Sequence, residues 1–178
     1  KNYFAGQADY RNFILAMMRQ ESGFNPLAES PKGARGVMQV IRPTWNNTVG
    51  NLVEKGAITE RWDFDSAFDV ARSMTVGLEY FAEVLKLNEE RFPRESPEKI
   101  LMLALASYNA GPQQPIILHG RIPSIQETRE YVASIWNAWK GEEISIIGPS
   151  EAFAFTKKTA APKKQLDYSN PPTSLKEL

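Results

Sequence analysis

The sequence predicts an all-α, mainly helical domain over about residues 5 to 140, with an irregular C-terminal extension behind it. Three observations carry that reading. Apolar residues recur at steps of three and four in several stretches. Helix start and stop signals bracket those stretches. No stretch alternates apolar and polar residues as a half-buried strand would, and no internal repeat is visible. A chain of 178 residues can bury the core of one compact domain. We divide it into a domain, residues 1–140, and an extension docked on that domain, residues 141–178.

The first helix is expected over residues 8 to 21. Tyr10, Ile14 and Met17 share one face, and Ser22, Gly23 and Pro26 end it. A Gly, Pro and Ser-rich stretch to Arg35 reads as loop. Residues 36 to 41 read as a short extended piece or a helical turn. Pro43 and Thr44 open a further helical segment, and residues 50 to 64 fit no single pattern. A long helix is expected from Ser66 to Glu90. Ser66 and Asp69 have capping-box spacing, and Ala67, Ala71, Met74, Leu78, Phe81 and Leu85 keep a helical rhythm. Gly77 inside it costs about 1 kcal/mol relative to Ala, which points to close packing against a neighbour.

Ser96 and Pro97 read as the N-cap and first turn of the next helix. From Ile100 to Tyr108 that helix is apolar on nearly every side, so it belongs in the middle of the bundle. It stops at Asn109-Ala110-Gly111-Pro112. Ser124 and Glu127 have capping-box spacing for the last helix, whose buried stripe is Ile125, Thr128, Val132, Ile135 and Trp139. Beyond Gly141, Gly-Pro, Ala-Pro and Pro-Pro steps and paired lysines read as a linker or tail. Yet Ile144, Ile146, Ile147, Phe153, Phe155 and Tyr168 are too apolar for a purely solvated one. We expect Phe153, Phe155 and Tyr168 to pack on the domain, with Pro171 and Pro172 keeping the end extended.

Composition excludes several classes of function. Basic and acidic residues both total 21, so net charge is zero and nothing marks a nucleic-acid partner. There is no Cys, hence no disulfide framework and no thiolate metal site. The single histidine, His119, stands beside Gly120 and reads as a loop residue; no metal or cofactor is expected. The longest apolar run, Ile100 to Ala106, is far short of a membrane span. No signal peptide is read at the start.

The position after Met17 on the first stripe is Glu21, where a core residue would ordinarily stand. A carboxylate at the inner edge of a helix end is costly to ionise, so its pKa should rise. A reachable carboxyl that keeps its proton near neutral pH is a general acid. A salt-bridged or solvent-reaching Glu at a helix terminus fits the same spacing, which alone leaves both readings open.

Four short motifs follow one another in order. They are Glu21-Ser22, Gly36-Val37-Met38-Gln39, Tyr108-Asn109-Ala110-Gly111-Pro112 and Glu127-Thr128-Arg129-Glu130-Tyr131-Val132. With their spacing and helix context they resemble the Slt-type lytic transglycosylases, which share a lysozyme-like fold with goose-type lysozymes. The resemblance covers about residues 8 to 139. It implies that Glu21 is the sole catalytic acid and base, and that Ser22 helps shape the site. It implies that Met38 and Gln39 line a saccharide groove, Tyr108 orients the catalytic carboxyl, Asn109 contacts substrate and Tyr131 stands at the rim of the cleft. Tyr108 and Asn109 also close the most buried helix, where polar groups need partners. Asn109 and Gly111 equally fit a plain helix stop. The chain departs from the family pattern at Ser73, four residues before Gly77, where Asn is frequent, and at Ser107, where Ala is common.

Most glycosidases use two carboxyl groups. From Ser30 to Val53 there is no Asp or Glu, and Ile41 stands where goose-type lysozymes carry Asp. With one carboxyl, the sugar must supply the second nucleophile. The implied reaction cleaves the β-1,4 bond between N-acetylmuramic acid and N-acetylglucosamine in peptidoglycan and leaves a 1,6-anhydro-muramic end. By the pattern of a buried lysozyme carboxyl, Glu21 should titrate toward roughly 6. Asp63, Asp65 and Asp69 keep hydrolysis by a true lysozyme open, and a non-catalytic glycan-binding envelope module is the third reading. Of the tryptophans, Trp136 and Trp139 read as core, and Trp45 as the better candidate for stacking on sugar. The expected partner is the peptidoglycan glycan strand, met by an exported monomer in the periplasm or cell envelope.

Overall fold

The computed structural model describes residues 1–141. Six α-helices and one 3-10 turn account for most of them: α1 (Gln7–Ser22), α2 (Arg42–Glu54), the 3-10 turn Phe64–Phe68, α3 (Val70–Arg91), α4 (Pro97–Ala110), α5 (Pro115–Leu118) and α6 (Gln126–Lys140). Among the described residues there is no strand, only isolated bridges from Arg35 to Glu29 and to Val40. The stretch from 36 to 41 is therefore a tight turn closed by a bridge. No described helix is long and apolar enough to cross a membrane. The expectations for Phe153, Phe155, Tyr168 and the final prolines lie outside the described residues.

Helix α4 is the axis of the fold. Every residue from Ile100 to Tyr108 is buried, as its all-round apolar sequence requires. Ser96 caps it by accepting the Lys99 N–H at 3.2 Å, and Pro97 opens its first turn. Helices α3 and α6 pack against α4, and α1 lies along α6. Each large apolar side chain fully buried there contributes about 1.5–3 kcal/mol. Phe13 of α1 joins these layers, with ring centroids 5.1 Å from Trp139 and 5.3 Å from Phe81.

Three local expectations are corrected. Tyr10 is 41% exposed, and the inward face of α1 is Phe13, Ala16, Met17 and Met18. Glu21 still falls one turn beyond Met17. The long helix begins at Val70, because Asp69 caps it by accepting the Arg72 N–H at 2.8 Å. Asp63 takes the Ser66 N–H in the same way at 3.0 Å and winds the preceding residues into the 3-10 turn. The buried face of α3 is accordingly Ser73, Val76, Gly77, Phe81, Val84 and Asn88. Ser124 does not cap α6: Ile125 holds that position without a side-chain bond and is 46% exposed. The entry is held instead by the Arg129 Nε–H, which donates to the Pro123 carbonyl at 3.2 Å.

Candidate active site

The site is assembled from the end of α1, the turn at residues 36–39, the end of α4 and the first half of α6. Glu21 is half-buried in the last turn of α1. The Tyr131 hydroxyl donates to its Oε1 at 2.5 Å. Burial drives the Glu21 pKa up to about 8, and the single bond from Tyr131 opposes that only in part. The direction matches the sequence reading, and the rise is larger. Tyr131 and Tyr108 are pushed well above the ordinary tyrosine value, first by burial and then by the nearby Glu21 carboxylate. Both therefore keep their protons and act as donors.

The turn at 36–39 is fastened from every side. Gly36 adopts φ 75, and a Cβ there would fall 1.8 Å from the Ala67 carbonyl oxygen, so no other residue fits. Gln39 is left-handed too, at φ 48, and its side chain offsets the strain. Its Nε2 donates to the Ala28 carbonyl at 3.1 Å and the Gly36 carbonyl at 3.0 Å. The loop before the turn is pinned by Arg35, which pairs with Glu29 and Asp65 and lies over the rings of Phe64 and Phe68. Two carbonyls of the turn then reach the helices. The Ser22 hydroxyl donates to the Val37 carbonyl at 3.1 Å, and the Tyr108 hydroxyl donates to the Met38 carbonyl at 2.8 Å.

The structure thus brings Glu21, Ser22, Gln39, Tyr108 and Tyr131 into one connected cluster and revises several placements. Tyr131 is buried, and it is the tyrosine that bonds Glu21; Tyr108 bonds the Met38 carbonyl instead. Met38 is fully buried and cannot line a groove with its side chain, which packs over Gly77. Asn109 is half-buried, and its Oδ1 accepts the Thr128 hydroxyl at 2.9 Å, a tie from α4 to α6 that the sequence reading missed. Trp45 is 0% exposed and donates to the Trp62 carbonyl at 3.2 Å, so it does not stack on sugar. Trp136 and Trp139 are core, as expected.

The three aspartates held open as second carboxylates are engaged elsewhere. Asp63 and Asp69 cap the 3-10 turn and α3, and Asp65 pairs with Arg35. Ile41 is exposed at the cap of α2. Among the described residues no cluster of His, Asp and Glu could hold a metal ion.

An all-helical frame that carries one half-buried acid at the end of its first long helix is of the lysozyme-like class. The model of the Transglycosylase SLT domain family matches residues 5–116, and the chain belongs to that family. It is 30% identical over 145 residues to the membrane-bound lytic murein transglycosylase F of Desulfosudis oleivorans, covering 80% of this chain and 27% of that protein. The protein of the same name from Vibrio vulnificus is 35% identical over 108 residues, covering 61% of this chain and 17% of its own. Among solved structures, the 70 kDa soluble lytic transglycosylase Slt70 of Escherichia coli superposes with a TM-score of 0.53 at 26% identity, over 72% of this chain and 21% of that one. An inactive Glu-to-Gln mutant of the lytic transglycosylase Slt from Pseudomonas aeruginosa gives the same TM-score and identity, covering 72% of this chain and 20% of its own. The chain spans about a quarter of the length of the first of these curated relatives.

Proposed function

We propose that this chain is a peptidoglycan lytic transglycosylase domain that cuts the β-1,4 bond between N-acetylmuramic acid and N-acetylglucosamine. The observation that carries the reading is Glu21: a half-buried carboxyl, protonated at neutral pH, with one tyrosine donor. Glu21 gives its proton to the glycosidic oxygen as the bond from muramic C1 breaks. The acetamido oxygen of the muramic residue assists at C1, since the three candidate aspartates among the described residues are engaged elsewhere. The Glu21 carboxylate then takes the proton of the C6 hydroxyl while O6 closes on C1. The net result is a 1,6-anhydro end and a free N-acetylglucosamine O4–H, with Glu21 protonated again. Tyr131 favours the carboxylate form between the steps, since its hydroxyl can only donate to it.

The partner in this reading is the glycan strand, met by a monomer in the cell envelope, in line with relatives named as murein enzymes. Residues 141–178 are proposed to dock on the helical body away from Glu21. A small cavity of about 50 Å³ lined by Tyr3, Leu101, Trp136, Trp139 and Lys140 opens where α6 ends. The indole N–H of Trp136 is buried beside it with no acceptor among the described residues.

Digestion of purified peptidoglycan read by mass spectrometry tests the reaction. Anhydro-muramic products are expected. Reducing-end products, one water heavier, move the assignment to hydrolysis, and no soluble product leaves a glycan-binding module.

A further inference from the structure

We propose that Ser73 is a positioning residue: its hydroxyl sets the seat of the 36–39 turn on α3 and thereby places Tyr108 and Ser22 beside Glu21. Ser73 is buried in the first turns of α3, and its Oγ accepts the Met38 N–H at 3.3 Å. Through that bond α3 holds the backbone of the turn. The same oxygen lies 2.7 Å from where a Cβ on Gly36 would stand, so it also bounds the turn from below.

Gly77 is four residues on and shares that face of α3. A Cβ there would lie 2.5 Å from the Met38 Cβ, so the turn rests directly on the helix backbone. Ser73 therefore fixes the Met38 backbone while Gly77 makes room for its side chain. The Met38 N–H shares one planar peptide unit with the Val37 carbonyl, which receives Ser22, and the next carbonyl, that of Met38 itself, receives Tyr108. A shift of the Met38 amide is carried rigidly to the Val37 oxygen, because a peptide unit has no soft internal torsion, and it reaches the Met38 oxygen through the backbone of a residue held fully buried against Gly77. Ser22 is the neighbour of Glu21, and the Tyr108 ring is close enough for the Glu21 charge to raise its pKa. Ser73 touches neither the acid nor substrate and acts only through this relay.

The inference rests on Glu21 being the acid of the proposed reaction, so two readouts are needed. One is kcat and KM for release of soluble muropeptides from purified peptidoglycan; the other is the Glu21 carboxyl titration followed by NMR. Ser73→Ala is expected to lower kcat about tenfold through misplacement, with the Glu21 titration displaced. KM should stay within about two-fold, since no substrate contact is lost. Ser73→Thr, which keeps the hydroxyl, should restore the Glu21 titration and most of kcat. A Ser73→Ala protein that melts earlier but keeps the parent's kcat and Glu21 titration overturns the proposal. If Ser73→Ala does not fold, Ser73→Cys keeps the volume with a poor acceptor, and the same two outcomes decide. A parent that releases no muropeptide defeats the functional reading instead, and the Glu21 titration then decides on Ser73 alone.

Discussion

Helix α1 carries a half-buried carboxyl near each end, and both face α6, yet they titrate in opposite directions. At the start, burial raises the Asp9 pKa, but the Ala5 N–H, the Trp139 indole and Lys140 outweigh it, and the net pKa is lowered. The distances are 2.8 Å to Ala5, 2.6 Å to Trp139 and 3.5 Å to Lys140. At the end, burial drives Glu21 up to about 8 against a single neutral donor. The difference teaches that burial alone does not make an acid. What counts is how many donors and opposite charges the fold supplies to the ionised form. Asp9 is provisioned to stay charged and staple two helices; Glu21 is left short, and so keeps a proton to give.

The largest expected effect isolates the acid. Glu21→Gln should lower muropeptide release by about two to four orders of magnitude while circular dichroism stays that of the parent. Cleavage within a few-fold of the parent would remove Glu21 from the mechanism. The pH-rate profile of the parent should fall as pH rises through about 8, where Glu21 loses its proton. A limb near the ordinary carboxylate value would break the contrast with Asp9.

Tyr131→Phe removes the one donor that the described residues give Glu21. Its bond lowers the Glu21 pKa, so its loss should move the high-pH limb further up. The rate should drop about tenfold as the carboxyl loses its orientation. An unmoved limb would show that burial alone sets the acid.

Stability should separate the two ends by sign. The folded pKa of Glu21 is raised from 4.5 to about 8, so its contribution is full below 4.5 and lost as pH rises through about 8. Glu21→Gln should therefore be more stable than the parent by about 2 kcal/mol at neutral pH, the gap closing toward pH 4.5. Asp9 runs the other way: its folded pKa is lowered, so its contribution is present above 3.8 and lost as pH falls through the lowered folded value. Asp9→Asn should cost about 1 kcal/mol at neutral pH and less in acid. Urea melts at several pH values check both, and equal signs would refute the comparison.

The smallest effect is expected at the extension. Deleting residues 145–178 should lower the melting temperature by a few degrees (~1 kcal/mol) without altering the product pattern. Altered glycan-length preference at unchanged stability would put the extension at the groove.

The helices were legible in the sequence wherever one face had to be apolar, and α4 most of all because every face did. Glu21 was legible for the same reason, as a charge on an apolar stripe. What local spacing could not reach was the pairing across distant segments. Tyr131 meets Glu21 from 110 residues away, and its place on the buried stripe of α6, three residues from Thr128, was the available signal. Trp45 and Met38 were misplaced because neighbours in sequence do not say which side of a turn faces the core. Ser73 was visible only as a departure from a pattern, since its role depends on a turn 35 residues earlier.

The contact between the two chain ends of the described body sets how this domain can be joined to others. Asn2 and Tyr3 share a cavity with Trp139 and Lys140, so entry and exit lie side by side. Asp9 is next to that exit, and Glu21 is twelve residues further along α1, about 18 Å away. The described body therefore begins and ends at the pole opposite Glu21. A body whose two ends share one pole can be joined to other segments there without crossing its Glu21 end.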